Sequence, residues 1–145
     1  MRDEEQVLAA NQAFYDAFAR RDVAAMAAQW AMRAPVACVH PGWQALFGRE
    51  AVLASWRGIL EGPNPPVIRC TAPTAHVFGE AALVICTERL PGVELVATNY
   101  FVREDGAWKL AHHQAGGVAR PGEEREESDE NDDNDESDDE SGLLH

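Results

Sequence analysis

The chain has 145 residues with 25 acidic and 12 basic side chains, a formal charge of −13, and its length favours one domain. Residues 123 to 140 hold 13 of the acids and Arg125 as their sole base, which leaves 12 acids against 11 bases elsewhere, a net of −1. A nearly neutral body carries no footprint for nucleic acid, and the acidic stretch repels nucleic acid and anionic lipid alike.

The opening Met-Arg-Asp-Glu-Glu has no apolar run behind a basic start, so no secretory signal is read. The longest apolar run, AALVIC at 81–86, is far too short to span a membrane. Three cysteines, Cys38, Cys70 and Cys86, are an odd number without a C-x-x-C pair. They fit reduced thiols, and a cytoplasmic location is expected.

In chain order, DEEQVLAANQAFYDAFARRD predicts a helix, with Val7, Leu8, Asn11, Phe14, Tyr15 and Phe18 on one stripe and acids in its first turn. DVAAMAAQW predicts a second, shorter helix capped by Asp22. PVACVH reads as a short strand ending at His40 before the Pro41-Gly42 break. REAVLASWRGIL predicts a third helix, apolar along Val52, Leu53, Trp56, Ile59 and Leu60, that stops at Gly62-Pro63.

The period then changes to two. PVIRCTAPTAHVF, AALVICTERL, VELVATNYFVRE and AWKLAHHQAGGV predict four strands joined by tight links at Gly79-Glu80, Pro91-Gly92 and Asp105-Gly106. Helices followed by an antiparallel meander make an α+β domain over residues 1–120. Residues 121–145 cannot bury enough apolar surface to offset ordering, and a disordered acidic tail is expected there.

Two-residue turns fix a register: Phe101 opposite Leu110, Asn99 opposite His112, Cys86 opposite Ala97 and Val84 opposite Asn99. One face then carries Val84, Cys86, Glu88, Ala97, Asn99, Phe101, Trp108, Leu110, His112 and Gln114. His113 falls on the other face, at an expected dimer contact. A one-residue bulge exchanges the assignments beyond it. Both faces are largely apolar, so one covers the helices and the other is expected to meet a second copy of the sheet.

Residues 6 to 118 resemble the SnoaL-like branch of the NTF2-like superfamily, through FYDAFARRDVAAMAAQW, VHPG, GREAVLASW and ATNYFVREDGAWKLAHHQ in that order. The last motif is also similar to the association domain of calcium/calmodulin-dependent kinases, whose pocket-lining strand residues fall at Asn99 and His112. The resemblance implies a cone, with three N-terminal helices packed in the concave face of a curved, mainly antiparallel sheet, usually as a dimer. It implies no one activity, since such proteins include isomerases, cyclases, dehydratases, epoxide hydrolases and scaffolds. Ketosteroid isomerase-like and cyclase-like members rely on pocket aspartates. Here Asp3, Asp16, Asp22 and Asp105 all stand in helix or turn contexts, and the epoxide hydrolases' Asp-Arg-Asp relay is missing.

Candidate catalytic residues are His40, at the strand-loop-helix corner, and His112, whose ordinary pKa suits proton transfer near neutrality. Candidate ligand contacts are Tyr15, Trp30, Trp43, Cys86, Asn99, Phe101 and Gln114. Glu88, near a strand end, is read as pairing with Arg89 or Arg69. The five histidines and three cysteines show no metal-ligand spacing, and no cofactor is implied.

Three functions stay open. The first is a dimeric domain that binds a small hydrophobic molecule without chemistry. The second is an enzyme of proton transfer (isomerisation, cyclisation or dehydration) on a hydrophobic carbonyl compound. The third is an interaction module whose acidic tail attracts basic proteins.

Overall fold

The computed structural model describes residues 2–119; the acidic tail expected at 121–145 lies outside the described residues. Helix α1 spans Asp3–Arg20, with Asp3, Glu4 and Glu5 in its first turn, where carboxylates favour the positive end of the helix dipole. It ends as Arg21 takes a left-handed φ of 55°. Helix α2 spans Val23–Gln29, and its cap, Asp22, accepts from the Ala25 amide at 2.9 Å. After strands β1 (Ala37–Val39) and β2 (Leu46–Phe47), helix α3 spans Arg49–Glu61.

Four long strands follow: β3 (Arg69–Phe78), β4 (Ala81–Leu90), β5 (Val93–Glu104) and β6 (Ala107–Gly117). They form one six-stranded sheet in the order β2-β1-β6-β5-β4-β3. All neighbours are antiparallel except β1, which runs parallel to β6. The three expected hairpins close with two-residue turns, pairing Phe78 with Ala81, Leu90 with Val93 and Glu104 with Ala107. At the last turn both central residues have positive φ, 52° at Asp105 and 79° at Gly106, the mirror-image geometry that suits the strands' twist.

Two bulges shape the sheet. On β3 the register shifts between Thr71 and Thr74, with Ala72 at φ 53°. Pro73 therefore occupies a break in the ladder, where a missing N–H costs little. On β6 an extra residue, Ala111, lies between the pairs Phe101–Leu110 and Tyr100–His112. Beyond it, Asn99 pairs with His113 rather than His112.

That shift corrects the inner-face list. His113 and Ala115 point into the core, at 3% and 4% exposure. His112 and Gln114 lie across from Tyr100 and Thr98 on the outer face. The inner face packs on the helices through Val84, Cys86, Leu95, Ala97, Phe101, Trp108 and Leu110, against Val7, Phe14, Phe18, Met26, Val52, Trp56 and Leu60. The segment after α2 is tied down by Glu104, whose carboxylate accepts from the amides of Met32, Arg33 and Ala34 at 2.9–3.0 Å.

Candidate functional site

The apolar interior holds one polar cluster drawn from four elements. α1 presents Asn11 and Tyr15 one turn apart, β4 presents Glu88 two residues after Cys86, β5 presents Asn99, and β6 presents His113. All five polar side chains are at most 3% exposed. Burying such groups costs about 1–3 kcal/mol each unless they are hydrogen-bonded, and here each one is.

The hydrogen bonds order the cluster. The Asn99 Nδ2 donates to Asn11 Oδ1 at 2.8 Å and to the Tyr15 hydroxyl at 3.2 Å. The Tyr15 hydroxyl donates to Glu88 Oε2 at 2.6 Å. With both Asn99 amide protons so directed, its Oδ1 accepts from His113 Nδ1–H at 2.6 Å. In the neutral ring this makes His113 Nε2 the basic nitrogen, and it faces Glu88 Oε2 at 3.8 Å. Two thiols flank the group: Cys86 Sγ lies 3.5 Å from the Tyr15 hydroxyl, and Asn11 Nδ2 donates to Cys70 Sγ at 3.6 Å.

Burial dominates the electrostatics. Removal from water raises the Glu88 pKa, which the Tyr15 hydrogen bond partly opposes. Tyr15 is pushed well above an ordinary phenol by burial and then by the adjacent Glu88 charge. Burial thus disfavours the charged form of both groups, and the Tyr15 hydroxyl spends its proton on Glu88.

Around the cluster stands an aromatic shell centred on Trp56. Its ring meets Phe14 at 5.5 Å, Phe18 at 5.1 Å and His40 at 4.7 Å, all edge-on, and His113 at 5.8 Å. On its far side Trp56 lines a cleft of about 320 Å³ between α2 and α3, with Val23, Met26, Leu53 and Leu60. The indole thus touches both that cleft and, through His113, the buried polar cluster.

His40 is buried at its strand-loop-helix corner. It is 1% exposed, held edge-on between Trp43 and Trp56 with centroids 4.6 and 4.7 Å away. Its Nε2 is 2.9 Å from Ser55 Oγ, whose hydroxyl donates to the Val52 carbonyl at 2.7 Å. Ser55 therefore accepts from His40 Nε2–H, which makes that nitrogen a donor. Cys38, 3.7 Å from the same nitrogen, is pushed up to about 12 by burial.

The structure brings Tyr15, Cys86 and Asn99 together. Phe101 shares their face at 1% exposure, while Trp30, fully buried, is core under β6, where it bridges Leu110. Trp43 is 41% exposed over His40. His112 Nδ1–H donates to Ala37 O at 3.1 Å and, with Gln114, lines an outer hollow alongside Val96 and Thr98; neither reaches the interior. Sequence reasoning did not single out Asn11 and set His113 on the outer face; it placed Glu88 on the inner face but read it as an ion pair. Glu88 does not pair with Arg89 or Arg69 but turns inward, a direction that its alternation with Val84 and Cys86 already carried.

Residues 7–119 match the SnoaL-like domain family. Among solved structures, a provisionally named dehydratase of the NTF2-like family from Streptomyces avermitilis is 37% identical, covering 81% of this chain and 97% of that one, with a TM-score of 0.75. A provisionally named calcium/calmodulin-dependent protein kinase type II association domain from Thiobacillus denitrificans is 30% identical over 77% of this chain and 94% of its own, with a TM-score of 0.69. An NTF2-like protein of unknown function from Pseudomonas putida is 20% identical over 81% of this chain and 88% of its own, with a TM-score of 0.70. No curated protein matches the chain. The cone of helices and curled sheet, the length of the match and the identity to its relatives agree: this chain belongs to the SnoaL-like domain family of the NTF2-like superfamily.

Proposed function

We propose that the protein is a homodimeric binder of a small hydrophobic compound bearing a carbonyl or hydroxyl oxygen, taken into the cone against Tyr15 and Glu88. The observation that carries this reading is the convergence of Tyr15, Glu88, Asn99 and His113 on one hydrogen-bonded point inside an otherwise apolar interior. A core that served only packing would be as stable or more so with apolar side chains there. The residues around that point, Phe14, Trp56, Phe101 and Cys86, suit an aromatic or alicyclic skeleton.

The cluster is closed to solvent, so the compound displaces side chains as it binds. Trp56 is the cover we assign, since its ring lines the α2–α3 cleft and also lies 5.8 Å from the His113 ring. The outer sheet face supports the dimer: Ile85, Val96 and Tyr100 stand 38–43% exposed there, and a paired copy would cover them. Free thiols at Cys38, Cys70 and Cys86 fit a reducing compartment.

A second reading, proton transfer, is favoured by one further distance. His113 Nε2, a base in its neutral form, lies 3.8 Å from a carboxyl group whose pKa burial raises. A base beside an acid is what dehydration or isomerisation of a carbonyl compound requires, and the Streptomyces relative carries a dehydratase name. In this reading His113, rather than His112, is the base, and His40 braces Trp56.

Calorimetric titration with a panel of aromatic ketones and lactones tests both. Binding by wild type that weakens about tenfold or more in Tyr15→Phe, the size expected for one buried hydrogen bond, supports the binder. Turnover abolished by His113→Gln supports the enzyme. A dimer that takes up none of the panel would leave the interaction module as the better reading.

A further inference from the structure

We propose that Cys70 and Cys86 are an oxidisable pair, which hydrogen peroxide converts into a reversible disulfide beside the buried polar cluster. Cys70 of β3 pairs with Glu88 of β4, so it stands on the inner face that Glu88 and Cys86 share. The Cys70 thiol is hydrogen-bonded to Cys86. Helix α1 holds both sulfurs from above: Asn11 Nδ2 donates to Cys70 Sγ at 3.6 Å, and the Tyr15 hydroxyl lies 3.5 Å from Cys86 Sγ. Cys86 is buried, whereas Cys70, on the edge strand, is half-buried and gives a water-sized oxidant its way in. The hydrogen bond they share lowers the pKa of Cys86 and raises that of Cys70. The thiolate is the reactive form of cysteine, so Cys86 is the nucleophile and Cys70 the sulfur that follows.

Peroxide supplies the whole oxidising equivalent. The Cys86 thiolate attacks one peroxide oxygen and the O–O bond breaks. The departing hydroxide takes up the proton that the thiol released, which leaves a sulfenic acid and water. The Cys70 sulfur then attacks the Cys86 sulfur, and the sulfenic oxygen leaves as water with the Cys70 proton. The two thiols lose two electrons and the peroxide gains them. The reaction needs only the thiols and the oxidant, whatever the cone binds.

The sheet sets how firmly the bond holds. In a regular antiparallel ladder, residues placed diagonally as these two are lie about 7 to 8 Å apart. A disulfide closes without backbone movement only when the Cα atoms are within about 7 Å. The register runs from Thr71–Thr87 to Thr74–Ile85, so Cys86 stands opposite the bulged residues Ala72 and Pro73. The movement therefore falls where the ladder is already interrupted. A disulfide closed in this way is strained and readily reduced, the behaviour of a transient sensing bond rather than a structural one. Cys38 stays out of the reaction, because β1 is three strand spacings from β4, about 14 Å.

The test treats the reduced full chain with hydrogen peroxide, alkylates the remaining thiols under denaturing conditions, and reads intact and peptide masses. Wild type is expected to give a single-chain species lighter by two hydrogens, with Cys38 alone alkylated and Cys70 and Cys86 on one linked pair of peptides. Dithiothreitol restores all three alkylated thiols. Cys38→Ser keeps the linked species and Cys70→Ser abolishes it. Wild type that retains three alkylated thiols overturns the proposal, and that readout needs no variant to fold. Oxygen gained on single cysteines that dithiothreitol does not remove also overturns it. So does a linkage between two chains, or one through Cys38, because the pair would not then be the site.

Discussion

The Tyr15 hydroxyl and the Glu88 carboxylate meet at 2.6 Å in the floor of the cone, with neither side chain more than 3% exposed. The contact joins α1 to β4 across 73 residues of sequence, so it fixes how the helix seats on the sheet as well as what the interior offers a ligand.

The raised Glu88 pKa has a definite sign in stability. Between the unfolded value, about 4.3 for glutamate, and the higher folded value, the native protein holds a proton that the unfolded chain has released. The stabilising contribution is whole below the unfolded value and is lost as pH rises through the folded one. Glu88→Gln lacks this titration, so its stability relative to wild type rises from about pH 4 to about pH 8. Urea unfolding of both chains at the two ends measures it; a relative loss for the variant would mean that Glu88 is native as an ion.

Asn99→Leu removes the hub of the cluster. Asn11 Oδ1, the Tyr15 hydroxyl and His113 Nδ1 each lose a partner, and unmet buried groups cost about 1–3 kcal/mol apiece. A loss of about 3 kcal/mol or more is expected in denaturant unfolding. A loss within about 0.5 kcal/mol, the usual size for an exposed position, would show that water or relaxation replaces those bonds.

The bulge at Ala111 separates two adjacent histidines. His113→Ala empties a buried site and unpairs Asn99, with an expected loss of about 2–3 kcal/mol. His112→Ala, on the half-buried outer face, is expected to cost under about 1 kcal/mol. Equal losses would mean that the register runs through without the bulge.

Exposed Val96 and Tyr100 support self-association through the outer face. Val96→Glu with Tyr100→Glu places like charges opposite their own copies across such an interface, which costs several kcal/mol. Light scattering is expected to give the mass of two chains for wild type and one for the variant. A single-chain mass for wild type would remove the dimer.

Most of the architecture was legible because local rules decided it. Asp22 caps α2, the three two-residue links close hairpins, and Phe101 meets Leu110 as the Asp105-Gly106 turn dictates. The cluster was only half legible, for a physical reason. Alternation predicts facing until a residue is inserted, and nothing in WKLAHHQA announces that Ala111 is the one bulged. One extra residue moved His112 and Gln114 out and His113 in. Glu88 was misread through charge, because Arg69 and Arg89 are its neighbours in sequence and register, although its side-chain parity is that of the core. Trp30 and Trp56 carry the same helical pattern as any core tryptophan, so sequence could not mark Trp56 as the ring beside a cleft.

The most direct measurement is a structure of the chain crystallised with an aromatic ketone that binds in titration. The ketone oxygen is expected within hydrogen-bond distance of the Tyr15 hydroxyl or the Glu88 carboxyl group, with the Trp56 ring displaced. A ketone seated only in the α2–α3 cleft, with the Tyr15–Glu88 contact intact, would contradict the proposed interior site.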